Sequence, residues 1–348
     1  FSAGAGGFPR GLNCNVNISC WDQETGALKT VFKDASKDPI TSLAVTQDGR
    51  QLFSAGGRTE NAGGNRDFSI TQWNVASGVK QIIELEHKDT ITALAITPDD
   101  KILISASQDK SIITIDITTG RVLSTIEDAH DDSICDLAMN TDNAQLVSAS
   151  EDGSMSFWET RNNGNQKYWP KGALQHSRTV RTTATPRALL LSSDNSTILT
   201  ADRRFDITTF DFNSGAPCLD RKYQTNFGTH PLAICVSNDG TRLFSGSSYI
   251  SVWNAATGEQ QAEWECVHDG CIEGQGLGVS PDGTHVYSAA RDRKLIRWSV
   301  ATGKPVIIVN DAHSAPLLAL AISPDGTRVL SCDSNGSTKV WTAGLDQQ

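Results

Sequence analysis

One kind of position recurs along this chain at a nearly fixed interval. Trp21, Trp73, Trp158, Trp253, Trp298 and Trp341 occupy six of its copies, and Ile115 and Phe210 occupy two more. The successive spacings are 52, 42, 43, 52, 43, 45 and 43 residues. A period of this size marks one small unit repeated, each copy too small to bury its apolar face alone. Length by itself, 348 residues, favours two or three separate domains. The repeat replaces them with one array.

Two turn signals keep step with the anchors. Six anchors lead into a turn that ends in glycine: Gly26, Gly78, Gly120, Gly215, Gly258 and Gly303. Glycine there supplies a positive φ. Between anchors lies an Asp turn, as in Thr46-Gln-Asp48-Gly49, Ser237-Asn-Asp239-Gly240, Ser280-Pro-Asp282-Gly283 and Ser323-Pro-Asp325-Gly326. Such turns join two strands of a hairpin. The segments between turns are alternating and β-branched, without a helical period. Each unit therefore offers four short strands, named in chain order d, a, b and c, with c ending at the anchor.

Four polar and aromatic residues recur in register. They are His130, Ser148, Asp152 and Trp158; His268, Ser288, Asp292 and Trp298; and His313, Ser331, Asn335 and Trp341, with Asn in place of Asp. His87, Ser105 and Asp109 keep the spacing, with Ile115 in place of Trp. On these residues the chain resembles the WD40 repeat proteins over essentially its whole length. The resemblance implies an all-β fold, a WD40 β-propeller of four-stranded antiparallel blades, and structural tetrads in which each set forms a buried hydrogen-bond chain. Such a chain answers a physical need, because a buried imidazole and carboxylate are costly unless every polar atom has a partner.

The same residue types also spell a hydrolase triad. A catalytic set is expected once, whereas this one returns at a structural period without a Gly-x-Ser-x-Gly elbow. No catalytic residue is assigned. Some units depart from the pattern. Arg204 stands where the Phe210 unit needs its Asp, and the Trp253 unit is two residues short after Ser245. His176 and His230 miss the tetrad spacing, so the 160–250 side is expected to be the softer one. Glu159–Thr185, with Trp169, reads as a protruding loop or altered outer strand.

Phe1–Gly26 aligns without a gap on Phe53–Gly78, with Phe1/Phe53, Ser2/Ser54, Ala3/Ala55, Ile18/Ile70 and Trp21/Trp73 identical. The chain thus opens inside a repeat. The expected organisation is a single domain over 1–348: a partial repeat at 1–26, then seven repeats at about 27–78, 79–120, 121–164, 165–215, 216–258, 259–303 and 304–342. Eight blades with the first incomplete are favoured by the preserved Trp21 turn. Seven blades remain open, with a strand near Ala27–Lys33 completing the last blade. The start inside a repeat also leads us to expect the C-terminal part of a longer polypeptide.

Composition removes several functions. Forty acidic against 30 basic residues leave a net charge of -10, and the cations are scattered. That disfavours nucleic acid and anionic membranes as partners. No apolar run approaches a membrane helix. The eight cysteines lack any Cys-x-x-Cys and read as buried thiols. Cys266, His268 and Cys271 sketch a metal site, but the tetrad claims His268. No metal and no cofactor is expected. A sialidase-type Asp box is not met at Ser150–Trp158.

Propellers carry no common active site, so function is argued from the surface. The expected function is a non-enzymatic, cytoplasmic scaffold that binds other proteins or peptides, basic ones preferred. The expected contact surface is the top rim, where b–c and d–a connections meet: Arg10, Arg58, Arg66, Lys88, Gln108, Lys110, Asp131, Asp132, Glu151, Asp269, Arg291, Arg293 and Ser314. The alternative is a C-terminal sensor or regulatory domain of a kinase or NTPase whose catalytic part lies upstream.

Overall fold

A computed structural model gives the fold. The structure describes residues 2–3, 16–21, 28–36, 40–56, 68–140, 145–160, 173–182, 185–191, 195–202, 207–223, 233–246, 249–255, 257–265, 267–322, 326–333 and 338–345. Among these residues the regular elements are thirty strands, with no helix. None of the described residues forms a helix long and apolar enough to cross a membrane.

The first sheet holds β1 (Ser2–Ala3), β2 (Val16–Trp21) and β3 (Leu28–Ser36). Five four-stranded sheets follow. They are β4 (Ile40–Val45), β5 (Gln51–Gly56), β6 (Ile70–Asn74) and β7 (Lys80–Ile83); β8 (Ile91–Ile96), β9 (Ile102–Ser107), β10 (Ile112–Asp116) and β11 (Val122–Ile126); β12 (Ile134–Asn140), β13 (Gln145–Ser150), β14 (Ser154–Glu159) and β15 (Gln175–Arg181); β16 (Pro186–Leu191), β17 (Thr197–Asp202), β18 (Ile207–Asp211) and β19 (Pro217–Tyr223); and β20 (Ala233–Val236), β21 (Arg242–Gly246), β22 (Tyr249–Asn254) and β23 (Gln260–Glu265). The last sheet joins β24 (Ile272–Val279), β25 (His285–Ala290), β26 (Leu295–Ser299) and β27 (Pro305–Val309) to β28 (Leu317–Ile322), β29 (Arg328–Asp333) and β30 (Thr338–Thr342). The junction is one parallel pair, Gln275 with Ala319. Neighbours within each blade-like unit run antiparallel, as propeller blades require.

Sequence repeat and sheet are out of phase by one strand. The repeat at 79–120 opens with β7, which is the outer edge of the preceding sheet β4-β5-β6-β7. Each repeat therefore staples two sheets together. The same rule places β3: it pairs with β2 in the first sheet. The expected strand near Ala27–Lys33 thus does not complete the last sheet, whose described edge is β30. The gapless internal alignment reappears as an identical register. Ser2 faces Ser19 and Ala3 faces Ile18, just as Ser54 faces Thr71 and Ala55 faces Ile70.

The core lies between sheets. One cluster packs Phe53, Ala55, Ile70 and Ile83 against Ile91, Leu103, Ile113 and Ile115 of the next sheet. The next packs Ala93, Ile104 and Ile112 against Ile134, Leu146 and Trp158. Others join β13–β14 to β16–β18, β20–β22 to β24–β26, and β25–β26 to β28–β30. Ile115, the anchor without a Trp, is fully buried in this way. At 25 cal/mol for each Å² of apolar surface removed from water, about 2 kcal/mol per large side chain is lost if one sheet leaves its neighbour.

Inner strands are also tied by side chains. Thr41 Oγ1 donates to the Ile91 carbonyl, and Thr92 Oγ1 donates to the Ile134 carbonyl at 2.8 Å. Ser42 Oγ accepts the Leu94 N–H at 3.0 Å. Asp136 Oδ2 accepts the Leu189 N–H at 2.9 Å.

Outer strands reach over the glycine turns of the following sheet. Trp264 of β23 stacks on Trp298 at 6.1 Å and covers Gly303. A Cβ on Gly303, whose φ is +66°, would meet Trp264 at 2.6 Å, whereas one on Gly78, at φ +69°, meets nothing within 4 Å. Both Gly→Ala changes carry the left-handed strain of about 1–2 kcal/mol. Gly303→Ala adds an overpacking cost of about 1–3 kcal/mol. Thermal unfolding of the two variants is expected to rank Gly303→Ala clearly lower; equal losses would contradict the close packing.

Candidate functional site

The d–a and b–c connections emerge at one end of the sheets, and the tetrads stand directly beneath them. In the β12–β15 sheet, His130 Nε2 meets Ser148 Oγ at 2.7 Å and His130 Nδ1 meets Asp152 Oδ2 at 3.1 Å. Trp158 Nε1 donates to Ser148 Oγ at 2.9 Å. The β24–β27 sheet repeats the chain. His268 Nε2 meets Ser288 Oγ at 2.8 Å, Nδ1 meets Asp292 at 3.0 Å, and Trp298 donates to Ser288 at 2.8 Å. In β8–β11, His87 meets Ser105 at 2.9 Å and Asp109 at 3.1 Å. There Ile115 supplies no indole N–H, and Ser105 donates to the Ile113 carbonyl at 3.5 Å, as Ser148 does to that of Ser156 at 3.4 Å.

The last sheet solves the problem differently. His313 Nε2 meets Ser331 Oγ at 2.7 Å and Trp341 donates to Ser331 at 2.8 Å, but Nδ1 meets Asp333 Oδ2 at 3.1 Å. Asn335 lies outside the described residues. Asp333 was missed in the sequence because it breaks the spacing. It stands two residues after Ser331, on the same strand face, and strand geometry points both side chains the same way. A second missed position lies two residues beyond the aspartate. Ser111 Oγ donates to Asp109 Oδ1 at 2.6 Å and Ser154 Oγ meets His130 Nδ1 at 3.1 Å. Lys294 holds that place beside Asp292 and reaches Asp269 at 2.6 Å. The Asp-x-Ser pair in two units was the available signal.

Among the described residues, two sheets show part of the chain. Trp73 Nε1 donates to Ser54 at 3.3 Å, and Trp253 Nε1 to Ser245 at 2.9 Å. Arg204 and His230 lie outside the described residues. His176 sits on β15, where its ring meets Trp158 edge-on at 5.2 Å.

The electrostatics fit neutral histidines on charged aspartates. Burial lowers His130 and His313, against the raising influence of Asp152 and Asp333. Burial raises the Asp109, Asp152 and Asp292 carboxyls, yet the hydrogen bonds they accept outweigh it and hold all three below the usual carboxylate range. Ser148, His130 and Asp152 reproduce the connectivity of a hydrolase triad. Ser105, Ser148 and Ser288 are nevertheless fully buried, and Ser148 and Ser288 each also accept a Trp N–H. No outside substrate reaches such a hydroxyl. Both His268 ring nitrogens are occupied, which removes the imidazole from any Cys266–His268–Cys271 metal site. Cys266 lies outside the described residues.

The tetrad aspartates also hold the rim. Asp109 Oδ2 accepts the Lys88 N–H at 2.6 Å, and Asp152 and Asp292 accept those of Asp131 and Asp269, each at 2.9 Å. These three backbones are fixed while their side chains stand in solvent. Asp132, Arg291, Arg293 and Ser314 are exposed, and Gln108, Lys110 and Glu151 are half-buried at the same end. Arg10, Arg58 and Arg66 lie outside the described residues.

An all-β protein of repeated antiparallel sheets, like the blades of a propeller, is what this fold and these networks define. A family model described as "WD domain, G-beta repeat" matches residues 79–116, 120–159 and 303–342, and the chain carries WD40 repeats there. Autophagy-related protein 16 of Arabidopsis thaliana is 24% identical over 93% of this chain and 51% of its own length. Nuclear distribution protein nudF 1 of Talaromyces marneffei is 32% identical over 33% of the chain and 23% of its own length. Human cilia- and flagella-associated protein 52 is 28% identical over 35% of the chain and 18% of its own length. The chain thus spans about half, or less, of the length of these curated relatives.

Asp152→Ala leaves the Asp131 N–H without its acceptor and His130 Nδ1 with Ser154 alone. A loss of about 1–3 kcal/mol follows from stranding buried polar groups. The pH dependence has one sign. Lowered carboxyls stabilise above the ordinary Asp range, near 3.9, and lowered histidines above the ordinary His value, near 6.5; both contributions vanish as pH falls. Thermal scans are expected to show the wild type losing more stability than Asp152→Ala below about pH 4, where the lowered Asp152 carboxyl takes up its proton; parallel curves there would contradict the network.

Proposed function

We propose that this chain is a non-enzymatic scaffold that docks other proteins on its top rim and favours basic segments. Proteins built of WD40 repeats generally act in protein interactions, which sets the coarse class. One observation carries the finer reading: the tetrad aspartates fix the backbones of Lys88, Asp131 and Asp269 at the rim. Preorganised side chains spend little entropy on docking.

The charge balance supports a basic partner. Several rim cations are already engaged: Lys88 with Glu127 at 3.5 Å, Arg293 with Asp311 at 2.7 Å, and Lys110 with the Asp131 carbonyl at 2.8 Å. The single connection between β11 and β12 exposes four carboxylates, Glu127, Asp128, Asp131 and Asp132. Asp131 keeps 88% of its side chain in solvent, and its ion-pair neighbour Arg181 stands 3.9 Å away. A cytoplasmic setting goes with free thiols, and the described ones are not the buried set expected from sequence: Cys135, Cys218 and Cys235 are half-buried and Cys271 is exposed.

The test is binding of an Arg/Lys-rich peptide, followed by fluorescence anisotropy as salt rises. Affinity is expected to fall several-fold on doubling ionic strength, and to weaken again in Asp131→Lys/Asp132→Lys. An affinity indifferent to both changes contradicts the basic preference.

A further inference from the structure

Among the described residues, β3, β7, β11, β15, β19, β23 and β27 lie at the outer edges of their sheets. An open strand edge is a template for another strand, and natural sheets guard such edges with charge. β3, β7, β15, β19 and β23 each contain at least one charged residue, and β11 interrupts its run with Ser124 and Thr125. β27 has neither defence. It reads Pro305-Val-Ile-Ile-Val309.

The two faces of β27 differ. Ile307 and Val309 pack against the cluster that joins β25–β26 to β28–β30. Val306 and Ile308 alternate with them on the other face and stay 52% and 43% exposed. Scattered single apolar side chains are normal on a surface. β7 and β11 expose one each, Ile82 and Val122, whereas β27 exposes two on the same face of the same edge. Pro305 lacks an N–H, but it is the first residue of the strand and leaves the rest of the edge able to pair.

We propose that β27 pairs antiparallel with β27 of a second copy of this chain, across a two-fold axis at Ile307. In that register Val306 faces Ile308 of the partner subunit, Ile308 faces Val306 of the partner subunit, and Ile307 faces its own counterpart. The sequence is its own complement there. Val306 and Ile308 flank the axis with the same β-branched, apolar chemistry, so a copy run backwards presents matching cross-strand pairs on the exposed face. The flanking charges also match. Lys304 precedes the run and Asp311 follows it, so antiparallel pairing brings the cationic end of each strand to the anionic end of the other. Asp311 keeps 70% of its side chain in solvent beside Arg293. The same arrangement on β23, centred on Trp264, would set Glu263 against Glu265 of the partner subunit. A two-fold contact uses the edge of both copies, so growth stops at the dimer. It is one strand long, which puts its strength at roughly micromolar or weaker.

The experiment is sedimentation velocity of the full chain at concentrations from about 1 to 500 μM, which brackets an interface of that strength. The weight-average mass is expected to climb from 37.4 kDa toward twice that value. Ile308→Lys sets a cation against an apolar side chain twice in each dimer. It is expected to weaken dimerisation about tenfold or more, while thermal unfolding of the exposed-site variant stays close to the wild type. Val306→Lys supplies the same comparison if Ile308→Lys does not fold. The double variant Val306→Glu/Ile308→Lys sets opposite charges across both contacts and is expected to dimerise more tightly than Ile308→Lys alone. A chain that stays monomeric, a complex that grows beyond two copies, a dimer untouched by Ile308→Lys or Val306→Lys, or a double variant no tighter than Ile308→Lys overturns the proposal.

Discussion

Among the described residues, the apolar faces of the sheets pack against the adjoining sheets. That one constraint explains the rest. The clusters that join β5–β6 to β8–β10, or β8–β10 to β12–β14, belong to pairs of sheets. A single repeat has no core of its own, so stability is a sum of neighbour contacts. The out-of-phase relation between repeat and sheet serves the same end, because each repeat contributes strands to two sheets. Trp264 over Gly303 shows the outer strands joining in.

Burial between sheets creates the polar problem that the tetrads solve. Every sheet must turn its chain back at the rim, and the turning residues carry polar groups into a region closed by neighbours. His130, Ser148, Asp152 and Trp158 bond to one another, and the Asp152 Oδ2 that meets His130 also accepts the Asp131 amide. Packing and display are thus joined at one carboxylate. The connectivity of a hydrolase is present without its access.

Much of this was legible in the amino-acid sequence. The tryptophan period gave the unit, the Gly and Asp turns gave the strands, and the offset of 52 gave the register of β1 on β2. What escaped was what repetition cannot report. Asp333 replaces the tetrad acid from a different position on its strand, so spacing alone pointed to Asn335. Ser111 and Ser154 complete the networks from a position that Lys294 fills in another unit. Asp136 occurs once and accepts an N–H from a strand 53 residues away, a fact of three dimensions only. The placement of β3 stayed open between the first sheet and the last: sequence supplies the strands, whereas sheet membership depends on which edge is free.

The central claim is that the tetrad aspartates hold the rim backbone in place. Residue-resolved amide hydrogen exchange tests it at Lys88, Asp131 and Asp269, whose side chains stand in solvent while their N–H groups point inward. The account expects these three loop amides to exchange orders of magnitude more slowly than their intrinsic rates, with Asp131 released in Asp152→Ala. Exchange at intrinsic rates in the wild type would contradict it.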